Sequence, residues 1–278
     1  MKDIAYIDIH THVNLAAFSL DWKEVTDRML EAGVGCINVG TQRDTTERAI
    51  EIAHEYEQGV YAIAGLHPVH TSRSYHDPKE FTDVEKGFTS RGEVFDAALY
   101  TKLAADPKVV AIGECGLDYV RLEEGTKELQ KKAFIEQIEL ANAVGKPLML
   151  HVRSGESDNA YQDAYDILRS HAKVLGNVHF FAGTYEEAKM FWDIGYTTSF
   201  TGVITFARDY DEIIKNAPLS MLHAETDAPY VTPVPHRGKR NEPLFVIEVV
   251  KKIAEIRGEN EEAVASALRE NARRMFGI

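Results

Sequence analysis

The sequence predicts a single (β/α)8 barrel, an α/β fold in which eight parallel strands close into an inner sheet and helices coat its outside. Three observations support this class. Short apolar runs alternate with amphipathic segments along the whole chain, and there are eight of them. Residues that can bind metal end several of these runs. Finally, 278 residues suffice for a barrel with a large core, so we expect residues 1–278 to form one domain.

The eight apolar runs are the predicted strands of the barrel. They comprise residues 5–10, 35–40, 60–66, 109–114, 147–151, 177–181, 196–200 and 221–225. Amphipathic helices are predicted between them, and the clearest covers residues 126–144, where apolar side chains recur every two to four positions. Residues 241–276 are predicted to form two closing helices.

The connection between the third and fourth predicted strands, residues 68–108, is long for a barrel of this kind. One helix is predicted within it, over residues 95–105. Residues 72–78 follow the third strand, and loops that follow barrel strands emerge on the face that carries the active site. We therefore expect a partial lid over the mouth of the barrel.

Composition and charge exclude several classes of protein. The chain has 44% hydrophobic and 27% charged residues, which is typical of a globular protein. It contains no long apolar stretch of the kind that crosses a membrane, and its N-terminus is charged where a signal peptide is apolar. The formal charge of −13 argues against an extended surface that follows a phosphate backbone. We expect a soluble, cytoplasmic protein without a membrane partner or an obligate protein partner.

Two histidines at the end of the first predicted strand indicate a metal site. Asp8, His10 and His12 are each two residues apart, so an extended chain would direct all three side chains to one face. Two neutral imidazoles in this position can bind a divalent ion, and Asp8 would orient one of them. The alternative is a pair of solvated loop histidines, because so short a motif recurs by chance.

Four more candidates end other predicted strands: Glu114, His151, His179 and Asp227. A buried carboxylate such as Glu114 is costly unless cations keep it ionised, and the alternative is a turn residue paired with Arg153 or Arg121. Taken singly, each histidine could be a hydrogen-bonded core residue and Asp227 a turn or helix-capping residue. Because the strand ends of a barrel meet at one rim, the six residues together predict two divalent ions roughly 3.5 to 4 Å apart.

Seven segments covering nearly the full length carry a family resemblance. They are IDIHTH, GLHPVH, VVAIGECGLDY, KPLMLHVR, VHFFAG, SFTGVITF and ETDAPYVTPVPHRGKRNEP. Together they resemble the TatD family of metal-dependent hydrolases, within the amidohydrolase superfamily. The resemblance implies a (β/α)8 barrel, a divalent-metal centre and hydrolysis of phosphodiesters, typically as a deoxyribonuclease.

The resemblance also implies individual roles. One ion would be held by His10, His12, Glu114 and Asp227, and the second by Glu114, His151 and His179. His67 and Arg153 would contact the substrate phosphate. Three positions depart from the family pattern. Phe180 stands where members often have Cys, Ala182 where they often have Ser or Thr, and Ala207 where they often have Lys. These departures bear on substrate contacts and leave the metal ligands intact.

The predicted function is divalent-metal-dependent hydrolysis of short or single-stranded nucleic acid. Water made acidic by two ions (Zn, Mn, Mg or Ni) would attack phosphorus. Asp227, which would accept the proton, and Glu114, which would bridge the ions, are the expected catalytic residues. The basic loop at residues 236–240, including Arg237, would contact phosphate, unless it is a solvated turn.

Two alternative functions are considered. The first is hydrolysis of a lactone, an amide or an aminoacyl-tRNA ester by the same ions. The second is a barrel that serves only as a binding scaffold, and the complete ligand set argues against it.

Overall fold

Eight parallel strands form the inner wall of the structure, and helices cover them on the outside. The strands of the wall are β1 (Tyr6–Thr11), β2 (Val34–Val39), β3 (Val60–Ala64), β6 (Val109–Asp118), β7 (Leu148–Arg153), β8 (Gly176–Val178), β9 (Thr197–Phe200) and β10 (Leu222–Ala224), hydrogen-bonded in that order. The computed structural model describes residues 3–73, 75–76, 88–120 and 122–278. All eight predicted strands are present, and the predicted (β/α)8 barrel is confirmed.

The wall closes where the end of β10 meets β1. The backbone N–H of Asp227 donates to the carbonyl oxygen of His10 at 2.9 Å, and the N–H of His12 donates to the carbonyl of Ala228 at 2.8 Å. Both bonds lie at the carboxyl ends of the strands. The closure therefore joins two of the predicted ligand segments directly.

The helices match the sequence predictions closely. They are α1 (Trp22–Glu31), α2 (Arg43–His54), α3 (Ala97–Ala104), α4 (Thr126–Val144), α5 (Ala160–His171), α6 (Tyr185–Asp193), α7 (Asp211–Asn216), α8 (Val246–Arg257) and α9 (Glu261–Phe276). The helix expected at 95–105, the helix at 126–144 and the two closing helices are all confirmed. None of the helices in the described part of the chain is long and apolar enough to cross a membrane.

The long connection after β3 begins with a short 3-10 helix at Pro68–Thr71. Two short antiparallel strands follow, β4 (Tyr75–His76) and β5 (Phe88–Thr89). Asp77 and Pro78, which we expected in a lid, lie outside the described residues. The lid remains a prediction.

Pairing between β1 and β2 corrects one prediction about the first strand. Asp8 and Thr11 are three residues apart, yet their partners on β2, Cys36 and Asn38, are only two residues apart. The extra residue in β1 breaks the two-residue alternation of side chains. Asp8 therefore does not lie on the same face as the two histidines, and the prediction that it does is wrong.

The Asp8 carboxylate accepts hydrogen bonds from backbone N–H groups and does not orient an imidazole. It accepts hydrogen bonds from the backbone N–H groups of His10, at 3.2 Å, and Thr226, at 2.9 Å. The Thr226 hydroxyl donates to it as well. Asp8 thus ties the chain beside His10 to the residue that precedes Asp227.

Two glutamines on α4 hold the ends of two neighbouring strands. The Gln137 side chain accepts from the N–H of Leu66 at 2.8 Å and donates to its carbonyl at 2.9 Å. Gln130 makes the same pair of bonds with the backbone of Asp118, at 2.8 and 2.9 Å. Both glutamines are buried, so these bonds are shielded from water. The helix consequently positions the backbone at Asp118 and next to His67.

A buried histidine in β10 makes the fold sensitive to acid. His223 is 1% exposed, and neither ring nitrogen has a hydrogen-bond partner among the described residues. Burial lowers the pKa of His223 to about 3. An unfolded chain binds this proton with a pKa of about 6.5, so folding stability falls as the pH drops from that value toward the folded pKa.

We expect His223→Leu to reduce the loss of folding stability at acidic pH. Between pH 7 and pH 5 the free energy of unfolding should decrease by about 2 kcal/mol less in the variant than in the wild type. Urea unfolding at the two pH values measures the difference. Replacing the exposed His171 in the same way controls for the loss of an imidazole. Equal acid sensitivity in the wild type and His223→Leu would contradict the assignment.

Candidate metal centre

The carboxylate of Glu114 lies at the centre of the predicted ligands. Its Oε1 atom is 2.9 Å from Nδ1 of His151 and 2.8 Å from Nε2 of His179. Its Oε2 atom is 3.5 Å from Nε2 of His10 and 3.8 Å from Nε2 of His12. Each oxygen thus faces a different pair of imidazoles.

Asp227 completes the set on the side of the first histidine pair. Its Oδ1 atom is 3.3 Å from Nε2 of His12 and 3.8 Å from Nε2 of His10. The two Nε2 atoms of this pair are themselves only 3.2 Å apart. The structure therefore brings together all six residues that the sequence singled out, from five different strand ends.

Close contact between β6 and β7 depends on glycine. A Cβ atom on Gly116 would overlap the carbonyl oxygen of His151, and one on Gly113 would overlap the carbonyl of Met149. Both glycines also have positive φ angles, which side chains disfavour. The glycines that flank Glu114 in sequence thus let its strand lie tightly against the strand of His151.

His67 joins the cluster itself. Its Nε2 atom is 3.3 Å from Oε1 of Glu114, and its Nδ1 atom accepts a hydrogen bond from the N–H of Val69 at 3.1 Å. Because Nδ1 accepts, a neutral His67 carries its proton on Nε2 and presents a donor at the site. The phosphate contact expected of His67 stays a prediction.

Two carboxylates near the cluster were not predicted as site residues. Asp118 Oδ2 lies 2.9 Å from Nε2 of His151, and Glu225 Oε1 lies 3.4 Å from Nδ1 of His179. In each case the carboxylate faces the ring nitrogen that points away from Glu114. Such partners orient an imidazole and leave its other nitrogen available to a ligand.

Backbone strain occurs at two site positions. Asp227 has a φ of 55° and Phe180, which follows His179, has a φ of 41°, in the left-handed region that non-glycine residues avoid. The N–H of Phe180 is held by Oε1 of Glu225 at 2.6 Å, and that carboxylate is also bound by the hydroxyl of Ser199 at 2.7 Å. Hydrogen bonds therefore maintain an unfavourable backbone next to a candidate ligand.

The pKa shifts of the two carboxylates and of His10 favour cation binding. Burial alone would raise the pKa of Glu114, but the imidazoles of His67, His179 and His10 hold that pKa well below its usual value. Burial would likewise raise the pKa of Asp227, yet the hydrogen bond from His12 lowers it. Burial, together with the neighbouring His179, lowers the pKa of His10. Both carboxylates are therefore ionised, and His10 keeps a free lone pair.

The donor set fits divalent ions. Among the described residues, the carboxylates of Glu114 and Asp227 face imidazoles and no lysine or arginine. Arg121, one of the two partners considered for Glu114, lies outside those residues. Buried carboxylates surrounded by imidazole nitrogens are the usual ligands of zinc and related metals. Three overlapping groups could each hold an ion: His10, His179 and Asp227; His10, His12 and Glu114; and His67, Glu114 and His151.

The basic residues expected to contact phosphate differ in their surroundings. Arg153 ends β7 at the rim, two residues after His151, with an exposed side chain. Arg237 is also exposed. Arg240, in contrast, makes a bidentate ion pair with Asp21, at 2.9 and 2.6 Å. Arg240 therefore anchors the loop and is not free to grip a substrate.

A barrel with this rim chemistry is typical of metal-dependent hydrolases, and the chain is an enzyme of that class. It belongs to the family described as TatD related DNase, whose model matches residues 7–277.

Similar named proteins and a solved structure support the assignment of the chain to this family. The uncharacterized metal-dependent hydrolase YabD of Bacillus subtilis is 37% identical over 276 residues, which is 98% of each chain. The 3'-5' ssDNA/RNA exonuclease TatD of Pantoea ananatis is 32% identical over 279 residues, covering 98% of this chain and 99% of its own. The crystal structure of YJJV, a TatD homolog from Escherichia coli K12, aligns with a TM-score of 0.80 at 28% identity over 99% of both chains.

Proposed function

We propose that the protein is a phosphodiesterase that degrades short or single-stranded nucleic acid with two divalent ions. The observation that carries the proposal is the orientation of Glu114, whose two oxygens face two separate pairs of imidazoles. A carboxylate in that position can bridge two cations. The name of the Pantoea ananatis relative, an exonuclease of single-stranded DNA and RNA, supports nucleic acid as the substrate.

The ligand assignment that we propose is the one implied by membership of the TatD family. His10, His12, Glu114 and Asp227 would hold one ion, and Glu114, His151 and His179 the other. When bound, divalent ions at these positions would acidify water and stabilise negative charge on a phosphodiester. The ligands accommodate Zn, Mn, Mg or Ni, and we propose no preference among these metals.

The chain's own residues would orient the reactants. The ionised carboxylate of Asp227 would hold a water molecule and accept its proton at Oδ. The Nε2–H of His67 and the guanidinium groups of Arg153 and Arg237 would donate to the phosphate oxygens of the substrate. Burial strengthens the interactions of Asp227 and His67, because little water competes for their donors and acceptors.

Charge distribution favours short or single-stranded substrates. The net charge of −13 repels a long duplex, while Arg153 and Arg237 supply positive charge locally. A single strand can enter the rim end first and needs only a few phosphate contacts. We also propose that residues 1–278 act as one domain, and the cytoplasmic location inferred from composition stays a prediction.

Substrate comparison tests the proposal. Metal-loaded protein should degrade end-labelled single-stranded oligonucleotides faster than a duplex of the same sequence. Parallel assays with a lactone, an amide and an aminoacyl-RNA address the alternative hydrolase activities. Hydrolysis of one of these, without cleavage of any oligonucleotide, would overturn the proposed substrate and leave the enzyme class intact.

Glu225 should govern how well His179 serves as a ligand. We expect Glu225→Ala to weaken metal binding by about 10- to 100-fold, the usual cost of losing a carboxylate behind a ligating histidine. Glu225→Gln keeps an acceptor for the N–H of Phe180 and should lose much less. Titration of the metal-free variants with Co²⁺, followed by absorbance, measures the affinity. A purely structural role for Glu225 would lower the melting temperature and leave the Co²⁺ affinity unchanged.

A further inference from the structure

An aromatic side chain is exposed at the rim, in the loop that follows β9. Phe206 is 43% exposed, and Val234, in the loop that follows β10, is 45% exposed. Loops that follow barrel strands lie on the same face as the metal cluster. An exposed phenyl ring on that face is accessible to a substrate that approaches the metal cluster.

An arginine from the neighbouring loop covers part of this ring. The guanidinium of Arg237 lies 4.3 Å from the ring centroid of Phe206. Its position is fixed from the other side, because Nη1 donates to the carbonyl of Thr232 at 3.0 Å. The pair thus combines a π surface and a cation in one held arrangement.

The two loops are joined to each other. The N–H of Val234 donates to the hydroxyl of Thr205 at 2.9 Å. A Cβ on Gly202 would overlap the carbonyl oxygen of Val231, so the loops lie in direct backbone contact only four residues after Asp227. The ring of Phe206 therefore lies on a loop that hydrogen bonds and backbone contact hold in place at the rim.

The chemistry of this pair matches a nucleotide unit. Proteins that bind single strands without reading their sequence stack bases on aromatic rings and place cations along the backbone. The chain as a whole has a net charge of −13, and the exposed guanidinium of Arg237 supplies local positive charge that attracts an anion.

We infer that Phe206 and Arg237 form a nucleobase-stacking subsite that selects single-stranded substrates. A base adjacent to the scissile phosphate stacks on the uncovered part of the Phe206 ring, and Arg237 contacts the phosphate of the same nucleotide. Bases in a duplex are already stacked and paired, so they do not reach the ring. This inference rests on the proposed nuclease function, which it deepens by naming what the rim recognises.

Paired substrates test the subsite: a short single-stranded DNA and an abasic strand of the same length and backbone. We expect the wild type to prefer the strand with bases. Phe206→Ala should lower kcat/KM for that strand by about tenfold, mainly through KM, and leave the abasic strand unaffected. Phe206→Trp retains a stacking surface and should keep the wild-type preference.

Leu175→Ala is the matched control. Leu175 is 52% exposed and directly precedes β8, at the opposite end of the barrel, so its loss should change neither substrate. If Phe206→Ala affects both strands equally, or neither, the stacking subsite is refuted although the nuclease function stands. If the wild type cleaves neither strand, the proposed function fails and the subsite fails with it.

Discussion

Asp227→Asn should reduce kcat by about a thousandfold while the protein stays folded. The substitution keeps the shape of the side chain but removes the negative charge and the proton-accepting oxygen. Asp227 is 8% exposed and faces His10 and His12, so the substitution acts inside the buried cluster. Single-turnover cleavage of an oligonucleotide by the metal-loaded variant measures the effect.

Two measurements test whether misfolding or loss of metal, rather than loss of the carboxylate, lowers kcat. Circular dichroism and the melting temperature establish that the variant folds, and metal analysis establishes that it still carries ions. Asp211→Asn, on the outer helix α7, is the matched control and should leave kcat unchanged. Activity of Asp227→Asn within about tenfold of the wild type would rule out a role as the proton acceptor.

Removal of the metal ions should abolish activity reversibly. The buried carboxylates of Glu114 and Asp227 would lose the cations that we propose between them and the imidazoles. Because bound ions stabilise only the folded chain, the melting temperature should also fall by about 5 to 10 °C. Dialysis against a chelator, followed by activity assays and calorimetry before and after each metal is restored, tests both effects.

The count of ions is the sharper part of this experiment. Elemental analysis of the reconstituted protein should give two ions per chain, and Glu114→Gln should reduce both occupancies because that carboxylate faces both pairs of imidazoles. Addition of the chelator already saturated with calcium controls for effects of the chelator itself. A metal-depleted sample with full activity would refute the proposed chemistry.

Much of this site could be predicted because a barrel converts position along a strand into position in space. A polar residue at the end of an apolar run must lie at the rim, whichever strand it belongs to. His151 and Asp227 are far apart in sequence, and their common height followed from that rule alone. The fold and the gathering of the ligands were therefore accessible without coordinates.

Features that depend on pairing between strands were not accessible. The role of Asp8 was predicted wrongly because an extra residue in β1 is visible only in its register with β2. Asp118 was missed because β6 continues past Glu114, and that extension reflects its pairing with β7. Glu225 was missed because its contacts with His179 and Phe180 depend on the path of the chain after β8.

The two glutamines of α4 have a consequence for how such barrels can be altered. Each amide side chain satisfies a backbone N–H and a carbonyl that would otherwise lack a partner at a strand end. The outer helix α4 thus helps to position the loops that contain Asp118 and His67. Transplanting those loops into another barrel would leave their backbones unsupported unless the helix were moved with them. New substrate loops on this barrel would therefore have to keep their hydrogen bonds to Gln130 and Gln137, which lie on an outer helix.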